Sequence, residues 1–145
     1  MTANASVDAS SAAVYVLDSF ALLAYLNGEA GAERVATLLS AAQAGKYRLL
    51  LCTINLGEIL YTVERRRGLA AAQRVQALLE SLPLEEVEAT RELVLDAAHL
   101  KALHPISYAD AFAAALALRE NATILTGDPE FESLQERVGV EWLGK

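Results

Sequence analysis

Aspartate is scarce in this chain: five residues in 145, namely Asp8, Asp18, Asp96, Asp110 and Asp128. Three of them, with one glutamate, stand at positions that suit chemistry. Asp18 closes the apolar run Val14-Tyr-Val-Leu17, and Asp128 follows Ile124-Leu-Thr-Gly127. Glu58 lies in Thr53-Ile-Asn-Leu-Gly-Glu58, and Asp110 in Ser107-Tyr-Ala-Asp110. Softer ligands do not accompany them, because His99, His104 and Cys52 are the whole histidine and cysteine inventory. Oxygen donors alone suit a hard divalent cation, Mg²⁺ or Mn²⁺. Such an ion keeps several waters, which leaves positions for a phosphate oxygen and for an attacking water.

Taken singly, each acid also has a purely structural explanation. Asp18 can N-cap a helix beginning at Ser19, and Asp128-Pro129 pairs an N-cap with proline at the first helical position. Asn55-Leu-Gly-Glu58 and Ser107-Tyr-Ala-Asp110 resemble capping boxes, in which the acid reaches back to a free backbone N–H. The set is harder to explain this way. Carboxylates converging on one cleft repel and raise one another's pKa. A cap requires no such convergence, whereas a divalent cation does.

The elements that must position these acids follow from hydrophobic period and punctuation. Short, mainly apolar runs predict strands over 14–17, 47–52 and 122–126, with a weak strand over 84–87 and a last, edge strand over 140–143. Helical spacing predicts helices over 19–27, 32–44, 55–67, 69–81, 90–103 and 107–120, with Gly28, Gly45 and Gly68 just past three of the ends. Strands alternating with helices imply βαβ units around a parallel sheet. The expected fold is α/β: one three-layer α/β/α domain with a central, mainly parallel sheet over 14–145, preceded by a flexible Ala/Ser-rich lead-in over 1–13. In such folds functional groups collect at the carboxyl ends of the strands. All four acids can then point at one end of the sheet.

Composition narrows the class further. Twelve Lys+Arg against 19 Asp+Glu give a net charge of −7, which argues against a protein that coats nucleic acid through a basic surface. It leaves room for an enzyme that reaches nucleic acid through bound metal. Hydrophobic residues make up 54%, too many for a disordered chain. A single cysteine excludes an intrachain disulfide, which fits a cytoplasmic protein. The longest uncharged runs, 19–28 and 35–45, are short of a membrane span, and the absence of Lys or Arg before Arg34 disfavours a secretory signal.

Val14–Asp18-Ser19, Glu58 in Asn55-Leu-Gly-Glu58-Ile-Leu, Asp110 in Ser107-Tyr-Ala-Asp110-Ala and Thr126-Gly-Asp128 together resemble the PIN-domain nuclease signature. Their order and spacing, over essentially 14–143, most resemble VapC-type toxins of bacterial type II toxin–antitoxin systems. The lead-in departs from that pattern, since such toxins start a few residues before the first aspartate. The resemblance implies a metal-dependent endoribonuclease acting as a toxin and inhibited by a cognate antitoxin. Asp18, Asp110 and Asp128 would hold one or two Mg²⁺ or Mn²⁺ ions, with Glu58 completing the shell or orienting the attacking water. Ser19, Asn55 and Thr126 are candidates to support those acids or to meet a substrate phosphate. A homodimer and an antitoxin groove would use apolar helix surface left outside the core. Arg65-Arg66-Arg67, the one basic run, suits either a helix C-terminus or contact with RNA phosphates or an acidic partner. Two other readings stand beside this one: a catalytically silent PIN-like binding module, and a flavodoxin-like phosphoacceptor domain. The second wants paired acids after the first strand and a late lysine, yet Ser19-Phe20 follows Asp18 and no lysine lies between Lys101 and Lys145.

Overall fold

The computed structural model describes residues 12–144, so the expected lead-in lies outside the described residues except for Ala12 and Ala13. Ala13 already belongs to the first strand. The strands are β1 (Ala13–Leu17), β2 (Tyr47–Cys52), β3 (Glu85–Val87), β4 (Thr123–Thr126) and β5 (Val140–Trp142). The helices are α1 (Ser19–Asn27), α2 (Ala32–Gln43), α3 (Thr53–Arg67), α4 (Leu69–Ser81), α5 (Arg91–Leu103) and α6 (Tyr108–Glu120), with a 3₁₀ helix over Pro129–Leu134.

Every strand pair among the described residues is parallel, in the order β3-β2-β1-β4-β5. The chain moves outward from β1 to β3 and then crosses back to β4, so β1 and β4 flank the topological switch point where such sheets bind ligands. A flavodoxin-like sheet runs in the order 2-1-3-4-5. The phosphoacceptor reading therefore fails on topology.

Two-residue periodicity divides the strand side chains between two cores. Val16, Leu50 and Ile124 face α5, α6 and the 3₁₀ helix. Leu17, Leu49, Leu51 and Leu125 face α1 to α4. These are the three layers. Helix α6 is buried continuously from Asp110 to Ala117, as expected of a helix apolar on all sides, and its alanines let it lie close to the sheet.

Element boundaries shift by a residue or two from the sequence reading, each for a local reason. Thr90 and Ser107 are N-caps of α5 and α6, each accepting a backbone N–H three residues on. Helix α3 begins at Thr53 and not Asn55, because β2 passes into it with only Cys52 as cap. The Thr53 hydroxyl turns to the β3 edge, 2.8 Å from Glu86 Oε2. The 3₁₀ helix is an element the sequence reading did not assign. No helix of the described residues is long and apolar enough to cross a membrane.

Candidate active site

The register of β1 on β4 sets Leu17 beside Leu125, so the next residues, Asp18 and Thr126, come together at the carboxyl edge. Asp18 is fully buried. Its Oδ1 accepts the Ala21 N–H at 2.9 Å, the N-cap of α1, and its Oδ2 accepts the Thr126 hydroxyl at 2.5 Å. Thr126 Oγ1 in turn accepts the Asp128 N–H at 2.9 Å, so one threonine fixes both acids. Asp128 Oδ1 accepts the Glu130 N–H at 2.9 Å and caps the 3₁₀ helix. The capping geometry expected of Asp18 and Asp128 is thus present. It coexists with their placement at the sheet edge.

Asp110 sits in the first turn of α6 and is 3% exposed. Asp110, Asp128 and Glu130 each place a carboxylate oxygen within 4.8 Å of the others, a spacing at which all three can reach one cation. Asp110 Oδ2 is buried with no hydrogen-bond partner. Burial, and after it the neighbouring carboxyls of Glu130, Asp128 and Asp18, push the Asp110 carboxyl up to about 9. Burial likewise raises Asp18 to about 7, against the lowering effect of Thr126 and the Ala21 N–H.

Glu58 approaches from α3. Its Oε1 accepts the Ser19 hydroxyl at 2.5 Å, and its charge adds to the upward pressure on Asp18. Asp18 and Glu58 stand outside the three-acid group defined by ligand spacing. The structure therefore joins Asp110 to Asp128, ties Asp18 to Asp128 through Thr126, and ties Glu58 to the start of α1 through Ser19.

Two expectations are corrected. Asn55 is not an N-cap and makes no hydrogen bond to Glu58 among the described residues, because α3 starts two residues earlier. Fully buried, it donates from Nδ2 to the Ala109 carbonyl at 3.2 Å and leaves Oδ1 without a partner. Nor does Asp110 close a capping box with Ser107. Ser107 Oγ accepts the Asp110 N–H at 3.1 Å, but the Ser107 N–H donates to Glu130 Oε1 at 2.8 Å. Glu130 occupies the role expected of Asp110, and the Asp110 carboxyl is released to face Asp128.

Sequence reasoning missed Glu130. The available signal was Asp128-Pro129-Glu130, a capped helix start that turns the second acid back toward the first. Gly127 between Thr126 and Asp128 has a packing reason, since a Cβ there would collide with the ring of Phe20.

The described residues thus form an α/β/α domain with an acid cluster at the switch point of its parallel sheet. The PIN domain family matches over residues 15–137, and the chain belongs to that family. Among solved structures, VapBC2 from Rickettsia felis, bound to a DNA fragment from its promoter, aligns with TM-score 0.70 and 19% identity, over 90% of this chain and 98% of that one. VapC20 from Mycobacterium tuberculosis, a sarcin–ricin loop cleaving toxin, aligns with TM-score 0.66 and 22% identity, over 84% and 95%. DNA-bound VapBC from Salmonella typhimurium gives 0.69 and 18%, over 89% and 97%. At these identities the likeness is one of fold. No curated protein matches the chain.

Proposed function

We propose that this protein is a divalent-metal-dependent endoribonuclease, the toxin of a toxin–antitoxin pair, with Asp18, Glu58, Asp110 and Asp128 holding one or two Mg²⁺ or Mn²⁺ ions directly or through water. The observation that carries the reading is Asp110 Oδ2, buried beside like charges with no donor to satisfy it. A buried carboxylate oxygen without a partner is costly, and a cation relieves both the missing contact and the repulsion. The donor set is all oxygen, as Mg²⁺ and Mn²⁺ prefer. When bound, the metal supplies a water of lowered pKa and neutralises charge on the scissile phosphate.

The chain's own residues hold this arrangement in place. Thr126 fixes Asp18 and Asp128 relative to each other. Ser19 holds Glu58, whose remaining oxygen is left to orient a water. Asn55 tethers the start of α6 through Ala109, next to Asp110. The toxin role and the cognate antitoxin are supported by membership of the PIN-domain family and by the VapC and VapBC structures of the same fold, and the RNA substrate by the likeness to a sarcin–ricin loop cleaving toxin; a homodimer and a cytoplasmic setting complete the proposal.

The test is cleavage of a mixed RNA pool with Mg²⁺ or Mn²⁺. Asp18→Asn and Asp110→Asn are expected to lower the rate by orders of magnitude with circular dichroism unchanged, and EDTA to abolish it. Cleavage that persists in EDTA ends the metal reading. No cleavage under any metal leaves a binding module.

A further inference from the structure

Two aromatic rings beside the acids take no part in either core: Phe20 is 42% exposed and Tyr61 is 50% exposed. Phe20 follows Ser19, whose hydroxyl holds Glu58. Its ring is seated on Gly127, one residue before Asp128, so closely that no side chain fits beneath it. Phe20 thus follows the residue that holds Glu58 and packs against the residue that precedes Asp128. Tyr61 lies on α3 three residues beyond Glu58, and the Arg65 guanidinium stands over its ring at 4.9 Å from the centroid. At about 100° per residue, Glu58, Tyr61 and Arg65 share one face of the helix. Arg65 opens the basic run 65–67, in a chain of net charge −7.

We propose that Phe20 and the Tyr61–Arg65 pair form a subsite that stacks unpaired bases of a single strand lying alongside the acids. This rests on the nuclease reading above and adds how the substrate is gripped. A base within a duplex has both faces covered by its neighbours, so only a splayed, single-stranded base offers a face to an aromatic ring. Stacking on rings tolerates any base, because every base has a π-face. The acids themselves repel the phosphate backbone. Arg65, held by its ring a short way along the same helix face as Glu58, supplies the opposite charge there.

The test uses the full chain in EDTA at low salt, so that binding is read without cleavage. Three fluorescein-labelled probes of equal length are compared by anisotropy: oligouridylate, an abasic ribose-phosphate strand, and an RNA duplex. Oligouridylate is expected to bind tightest. Phe20→Ala and Tyr61→Ala are each expected to weaken it by roughly tenfold, with no effect on the abasic strand. Tyr61→Trp is expected to restore binding, and Arg65→Ala to weaken oligouridylate and abasic strand alike. Leu69→Ala, exposed at the start of α4, is the control and is expected to change the Kd by less than about twofold. All these side chains are exposed, and a melting curve for each variant checks the fold.

The subsite is overturned if no probe binds, if the duplex or abasic strand binds as tightly as oligouridylate, or if both aromatic variants stay within about twofold of wild type. A separate Mn²⁺ cleavage assay keeps the two readings apart. Aromatic-dependent binding without cleavage upholds the subsite and removes the nuclease. Cleavage of oligouridylate indifferent to both aromatic variants does the reverse.

Discussion

At a helix N-terminus a carboxylate normally gains about 0.3–1 kcal/mol from the macrodipole. Asp110 is placed where that gain is reversed, by burial and by Asp128 and Asp18 nearby. Its carboxyl and that of Asp18 titrate in the folded protein above the ordinary value of 3.8, at about 9 and about 7. Between the unfolded and folded values the native state holds more protons than the unfolded state. The slope of stability with pH is therefore negative through that window. Without metal, the melting midpoint of the wild type is expected to fall as pH rises from about 5 to 9. Asp110→Asn removes the group that ionises last, while an amide cannot acquire the charge. Its midpoint in EDTA is expected to decline less steeply and to exceed the wild-type value near pH 8 by a few degrees, the scale set by about 1 kcal/mol in a domain of this size. Differential scanning fluorimetry across pH, on both proteins, checks the sign. A wild type that gains stability with pH in parallel with the variant contradicts the burial of these charges.

Among the elements, the helix starts decide how the acids are aimed. Helices α5 and α6 were legible from the helical spacing of their apolar residues, Ser107 also as a local cap, whereas the cap role of Thr90 was seen only in the structure. Strands β1, β2 and β4 were legible as short, mainly apolar runs without Gly or Pro, and the ends of the first and last located Asp18 and Asp128. Glu130 was not legible in its role, because its partner is the Ser107 amide, 23 residues earlier and on another element. Asn55 was misplaced for the opposite reason: β2 enters α3 without a turn, so no local signal marked the true start. The Glu130 contact yields a prediction. Glu130→Ala is expected to cost about 1 kcal/mol, as for a lost cap, and to speed hydrogen exchange at the Ser107 amide. Glu130→Gln keeps an oxygen acceptor and is expected to preserve protection there. Equal exchange at Ser107 in wild type and Glu130→Ala shows that the 3₁₀ turn does not hold α6.

For the molecule as a whole, the four acids on one edge add local repulsion to a net charge that is already −7. An ion that binds only the folded site raises the midpoint by mass action. Mn²⁺ at millimolar concentration is expected to raise the wild-type midpoint by several degrees, about the size of a 1–2 kcal/mol gain. Asp110→Asn is expected to lose most of that response. Thermal melts with and without metal measure both, and an undiminished response in the variant places the ion elsewhere. Light scattering at tens of micromolar is expected to report a dimer, and a strict monomer removes that part of the proposal. The strand order also governs when the site comes into being. Asp18 directly follows the first strand, yet its neighbours Thr126 and Asp128 are separated from it by more than a hundred residues. A polypeptide emerging from the ribosome has β1, β2 and β3 available to pair long before β4 exists. Until residue 128 has been released, Asp18 lacks Thr126, and Asp110 lacks the carboxylate it shares the edge with. On the nuclease reading proposed above, a chain that stops short of residue 128 is expected to cleave nothing.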